Sequence, residues 1–166
     1  MKTNSPSPFE PITLSLKEFL QIESCPPQWK HYDLYIIRDD QVAFYVGQSY
    51  VAFERVWNHI KNGYKGRSVI GRFILSNWPA AMKFTIELHC SGQARFAEVQ
   101  YDLNQAEQVL IEERKPCFNC VLNNQPAHLP ECYIPPEVRV RVHRLHRMIR
   151  EASYVLQAEQ KKEWLK

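Results

Sequence analysis

The run from Leu34 to Ile60, LYIIRDDQVAFYVGQSYVAFERVWNHI, narrows the possible folds more than any other part of the chain. Two periodicities follow one another in it. Residues 33 to 38 and 42 to 46 are rich in Tyr, Ile, Val and Phe and flank the polar turn Asp39-Asp40-Gln41, which reads as a short antiparallel hairpin. From 51 to 62 the period becomes helical, with Phe53, Val56, Trp57 and Ile60 on one side, until NGYKG ends it. A hairpin joined directly to an amphipathic helix must share a core with it. At 166 residues and 45% apolar content, the chain suffices for one core and is too short for two large domains.

The remaining elements extend that unit. Residues 1 to 12 contain three prolines and read as a loose lead-in to a short helix begun at Ser15 and stopped by CPPQW. A second helix is expected over 68 to 77. Residues 82 to 89, MKFTIELH, alternate as a third strand with Met82, Phe84, Ile86 and Leu88 on one face. A helix over 102 to 114 follows, capped by Asp102 or Asn104 and limited by Pro116. After a Pro-interrupted loop, Val138, Val142, Leu145, Ile149, Ala152 and Leu156 predict a long helix from Pro136 nearly to the C-terminus. The reading is an α/β fold, a small three-stranded antiparallel sheet flanked by helices. Its parts are an N-terminal extension with a short helix (1–30), a central domain (31–124), and a Pro-rich loop with a basic amphipathic C-terminal helix (125–166).

Bulk properties exclude little. A net charge of +3 and a pI near 8.6 are compatible with nucleic acid without arguing for it. No apolar stretch approaches the roughly 18 residues of a membrane span and the start lacks a signal-peptide core, so a soluble, cytoplasmic protein is expected. An odd cysteine count of five speaks against a secreted disulfide framework.

Several polar residues sit where chemistry would want them. Arg55 and His59, four apart, point the same way on their helix and away from its apolar side; the competing account is a solvated surface pair. Glu107 follows Leu103 and precedes Leu110 and Ile111, so its carboxylate borders an apolar stripe. It must either meet a cation or donor there or reach out to water.

Taken together these residues resemble the GIY-YIG nuclease family. Leu34-Tyr35-Ile36 stands for the first motif, with Leu34 in place of its Gly, and Tyr45-Val46-Gly47 for the second. Arg55 and His59 fall eight and twelve residues beyond Gly47, and Glu107 opens EQVLIEERKPCFN, which resembles the family's closing pattern and contains Asn119. The resemblance spans about residues 33 to 123. It implies a metal-dependent DNA endonuclease in which Tyr35 activates water, His59 accepts its proton, Tyr45 orients water or phosphate, and Arg55 stabilises the charged transition state. Glu107 would hold Mg²⁺ or Mn²⁺, since one carboxylate is too sparse for calcium or zinc. Gly47 and Asn119 would support the motifs, and Lys61, Lys65, Arg67 and Arg72 are candidate DNA contacts. The alternative is a non-catalytic nucleic-acid-binding module on the same scaffold. Whether the chain acts as monomer or homodimer is left open.

Two features lie outside that pattern. Cys117, Cys120, His128 and Cys132 offer four ligands within sixteen residues for a structural zinc. Against zinc, Asn119 must hold its motif position between two of the putative thiolates, and buried thiols often act as apolar filler. In the expected last helix, Arg139, Arg141, His143, Arg144, His146, Arg147 and Arg150 surround the side away from the apolar stripe, a face for DNA or for water.

Overall fold

A computed structural model describes residues 9 to 166; the first eight residues of the expected lead-in lie outside that range. The chain is α/β, built on a four-stranded antiparallel sheet of order β1-β4-β2-β3 rather than the three strands expected. The additional strand is β1 (Ile12–Ser15), which pairs with β4 (Thr85–His89) on the edge. Ile12, the last residue of the expected lead-in, is therefore in the sheet, and so is Ser15, where the helix was expected to begin. Four residues directly after Pro11 are too few to display alternation, and it is pairing with β4 that makes them a strand.

Ser15 ends β1 and caps α1 (Leu16–Phe19): its Oγ accepts the Glu18 N–H while the Glu18 carboxylate accepts the Ser15 N–H. The hairpin forms as expected from β2 (Leu34–Arg38) and β3 (Ala43–Gln48), with the Asp39 carboxylate receiving the N–H groups of Gln41 and Val42 in the turn. Helices α2 (Ala52–Tyr64) and α3 (Val69–Ser76) follow, then a short 3₁₀ turn into β4. Asp102 caps α4 (Leu103–Arg114) by accepting the Gln105 N–H.

Period-two alternation divides the sheet between two cores. Tyr35, Ile37, Phe44, Ile86 and Leu88 face α1, α2 and α3 in the larger core, whereas Leu34, Ile36, Ala43 and Val46 face Ala106, Leu110 and Ile111 of α4. Met82, Phe84, Ile86 and Leu88 share one core, but the strand begins at Thr85, three residues later than expected, and Met82 reaches that core from the 3₁₀ turn.

The last helix, α5 (Leu145–Trp164), starts nine residues later than expected. Residues 136 to 144 are not helical. Their valines, Val138, Val140 and Val142, alternate with arginines and follow Pro135-Pro136, a pattern poor for helix and one whose i, i+4 members only mimic a helical stripe. The segment is tied down by its carbonyls instead: Arg72 donates to Val140 O at 3.0 Å and Tyr64 to His143 O at 2.6 Å. α5 docks within the chain. Met148 and Ala152 are buried, Lys17 of α1 meets Glu159 at 2.5 Å, and Trp78 Nε1 donates to Glu151 at 2.9 Å.

Candidate active site

The hairpin sets two tyrosines side by side. Tyr35 pairs with Gly47 and Ile37 with Tyr45, so both phenols leave the sheet on its α2 face, their ring centroids 6.0 Å apart. Between Ile37 and Arg38 the register shifts, because Arg38 pairs with Ala43 and Phe44 is left over as a bulge. Phe44 thus turns to the same core as Tyr45 and packs on Phe73 and Phe84, each at 4.8 Å. Gly47 is required by contact, since a Cβ there would fall 2.2 Å from the Tyr35 hydroxyl oxygen. Leu34, the residue at the first motif's glycine position, is fully buried in the other core.

Helix α2 lays Phe53, Val56 and Ile60 on the sheet and brings Arg55 and His59 to the tyrosines. Arg55 is exposed, but His59 is not the solvated partner that a surface pair would require. It is buried, its Nε2 lies 2.7 Å from the Tyr35 hydroxyl, and its Nδ1 lies 2.8 Å from Ser68 Oγ. Ser68 also caps α3 by accepting the Gly71 N–H at 3.0 Å. The two helices approach closely here because Gly71 has no side chain; a Cβ would sit 1.8 Å from the His59 carbonyl oxygen. Burial, followed by the charge of Arg55, depresses the His59 pKa to about 4, so the ring is neutral at pH 7. Burial likewise pushes Tyr35 well above the usual phenol range, helped by Tyr45 and Glu107, while Arg55, within hydrogen-bonding reach, opposes. In the resting site the phenol keeps its proton.

Glu107 comes from α4, which packs on the far face of the sheet partly against β3, the edge strand that carries Tyr45. Burial raises the pKa of its carboxylate and a hydrogen bond from Gln48 opposes that; its charge in turn raises both Tyr45 and Tyr35. Gln48 is fixed by donating to Asn104 at 2.7 Å. Glu107 Oε2 is buried without a hydrogen-bond partner. Seven residues on, Arg114 lies on the same side of α4 and forms a bidentate pair with Glu87, both contacts at 3.0 Å. Burial would raise the Glu87 carboxyl, but bonds from His89, Arg114 and Arg38 overcome it and hold it at about 2. One stripe of α4 therefore carries a saturated cation at one end and an unsaturated carboxylate at the other.

Asn119 stands beside the outer edge of β3. Its side chain donates to Val46 O at 2.8 Å and accepts from Val46 N at 2.9 Å, continuing the contacts of Cys117 N with Ala43 O and Phe118 N with Phe44 O. This edge cover does not gather the four candidate zinc ligands of the loop. Cys120, His128 and Cys132 are exposed, Cys117 is half-buried, and no cluster of three or more His, Cys, Asp or Glu suited to a metal occurs among the described residues. The loop is held by strand-like pairing and by Phe118 against Phe73 at 4.9 Å, while Val121 and Leu122 stay exposed. For Mg²⁺ the donor set fits better: one half-buried carboxylate with a free oxygen leaves room for water and phosphate oxygens.

Of the candidate DNA contacts, Lys61, Lys65 and Arg67 are exposed and Arg72 is partly so; Lys61 lies over the Trp57 ring at 5.8 Å. Sequence reasoning missed Ser68, Gly71 and Gln48. Ser68 is the first residue of the expected second helix, but its contact with His59 of α2 has no local signal. No family model, curated protein or solved structure matches the chain. Among the described residues no helix is long and apolar enough to cross a membrane.

Proposed function

We propose that the chain is a metal-dependent DNA endonuclease of the GIY-YIG type. The observation that carries this reading is the Tyr35 hydroxyl 2.7 Å from His59 Nε2, with Arg55 and Glu107 both acting electrostatically on the same phenol. A surface built only to bind phosphate gains nothing from a half-buried carboxylate whose Oε2 has no hydrogen-bond partner.

Each residue has a part. The productive arrangement has the Tyr35 O–H donating to Nε2 while Nδ1–H rests on Ser68 Oγ, so a proton taken by Tyr35 from water has a neutral imidazole to pass to. Tyr45, less buried than Tyr35, orients water or phosphate from the mouth of the site. Arg55 offers its fork of donors where negative charge builds, and its charge already lowers the cost of ionising Tyr35. Mg²⁺ held at Glu107 would place positive charge beside the phosphoryl oxygens and cancel the push of that carboxylate on the two phenols.

Nicking of supercoiled plasmid by purified protein, with and without Mg²⁺, tests the reading. Glu107→Ala and Tyr35→Phe should each lose at least about a hundredfold in rate, and Arg55→Ala should be nearly inactive. Equal nicking by wild type and Glu107→Ala, with contaminating nuclease removed, overturns it.

A further inference from the structure

We propose that the cleft between the α2–α3 turn and residues 136 to 139 seats the phosphate backbone of the DNA flanking the cut, held by Lys65, Arg72 and Arg139. The inference rests on the nuclease reading for its substrate; to Lys65 and Arg72, already candidate DNA contacts, the cleft adds Arg139, which lies outside the resemblance, and a defined concavity. The cleft has a volume of about 570 Å³ and is lined by these three cations and a single carboxylate, Glu137.

Many Lys and Arg side chains lack an ion pair among the described residues, so it is the convergence of three of them that singles the cleft out. Lys65, Arg72 and Arg139 have no ion pair among the described residues, although they converge on one concavity. Like charges gathered without counterions repel one another, and a polyanion relieves that repulsion while releasing its own condensed cations. Lys and Arg contacts to phosphate position a duplex without reading its sequence.

Its walls are fixed and its location is apt. Arg72 donates one arm to Val140 O at 3.0 Å and Tyr64 holds His143 O at 2.6 Å, so the second wall is pinned to the first despite lacking helix or strand. Ser68 lines the cleft and also touches His59 Nδ1 at 2.8 Å. One imidazole ring and two hydrogen bonds therefore separate the cleft wall from the Tyr35 hydroxyl. A strand presenting a phosphate to Tyr35 and Arg55 would continue across this cleft.

Binding of a labelled duplex oligonucleotide, measured without divalent metal on the full chain over a series of salt concentrations, tests the proposal. Lys65→Glu with Arg139→Glu changes two exposed, unpaired side chains and should leave the fold intact, which thermal melting verifies. The double variant should lose at least about tenfold in affinity, and its slope of log K against log salt should shrink by about two, one per phosphate contact removed. Lys83→Glu with Lys161→Glu reverses the same number of charges at exposed positions elsewhere and should retain most of the affinity. Equal loss in both double variants, or no binding by wild type, overturns the cleft. Plasmid nicking separates the two readings. Cleft-dependent binding without Mg²⁺-dependent nicking by wild type removes the nuclease and keeps the cleft; nicking with unchanged KM in Lys65→Glu/Arg139→Glu removes the cleft and keeps the nuclease.

Discussion

Gly47 and Tyr35 face each other across the hairpin so closely that a Cβ on the glycine would stand 2.2 Å from the phenol oxygen and 2.3 Å from the ring carbon bearing it. The tyrosine is 1% exposed, so it has no free space into which to retreat. Gly47→Ala should therefore break the Tyr35–His59 contact and destabilise the fold by about 1–3 kcal/mol, the usual range for overpacking. Plasmid nicking should fall at least tenfold. Melting temperature and nicking rate unchanged from wild type would show that the ring is not held as described.

The neutral state of His59 has a pH signature. Its folded pKa of about 4 lies below the ordinary value of 6.5, so the unfolded chain binds the proton first as pH falls. Stability from this group is fully present above about pH 6.5 and is lost between there and pH 4. Glu87, held at about 2 against an ordinary 4.5, continues the loss at lower pH in the same direction. An NMR titration of the His59 ring in metal-free protein should give a midpoint near 4. A midpoint near 6.5 would mean that the ring is solvated and not locked between Tyr35 and Ser68.

Arg114→Ala leaves the buried Glu87 with Arg38 and His89 as its remaining partners. Removing one member of a buried charge network should cost about 3 kcal/mol, the lower end of the range because two partners survive. Chemical denaturation measures it. Since Arg114 and Glu107 share one side of α4, nicking should also weaken at temperatures where the variant is still folded; full activity there would show that Glu107 is positioned independently of the Arg114–Glu87 pair.

For the cysteine loop, Asn119→Ala strips both hydrogen bonds from the buried backbone of Val46 and should cost about 2 kcal/mol. Cys120→Ser and Cys132→Ser, at exposed positions, should stay within about 0.5 kcal/mol of wild type, and chelator should leave the melting temperature of the protein unchanged. A drop in melting temperature with chelator in Glu107→Ala protein, which lacks the carboxylate for Mg²⁺, would return a metal to this loop.

Residues whose roles depend on local spacing were legible from sequence, and those whose roles depend on distant partners were not. Ser15 and Asp102 announce helix starts through their own neighbours, and Met82 to Leu88 declare a face by alternation. β1 could not be seen, because a strand of four residues exists only through its pairing with β4. Val138 and Val142 misled, since a spacing of four satisfies a two-residue period and a helical one alike. At the site, Tyr35, Tyr45, Arg55, His59 and Glu107 were readable as an ordered set. Ser68 became part of it only through the close approach of α2 and α3 that Gly71 allows.

The unpaired Phe44 bears on how such a hairpin can change over generations. Arg38 still faces Ala43 and Ile37 still faces Tyr45, so the extra residue is absorbed without altering the facing of the strand on either side. Excising Phe44 would leave Ala43 and Tyr45 as ordinary alternating neighbours, and the loss would fall on the aromatic packing with Phe73, Phe84 and Tyr133 and on the bond from Phe118 N to the Phe44 carbonyl. Insertion and deletion at this point are events of the core. The strand can lengthen or shorten by one in its gene while the tyrosine that it presents keeps its place.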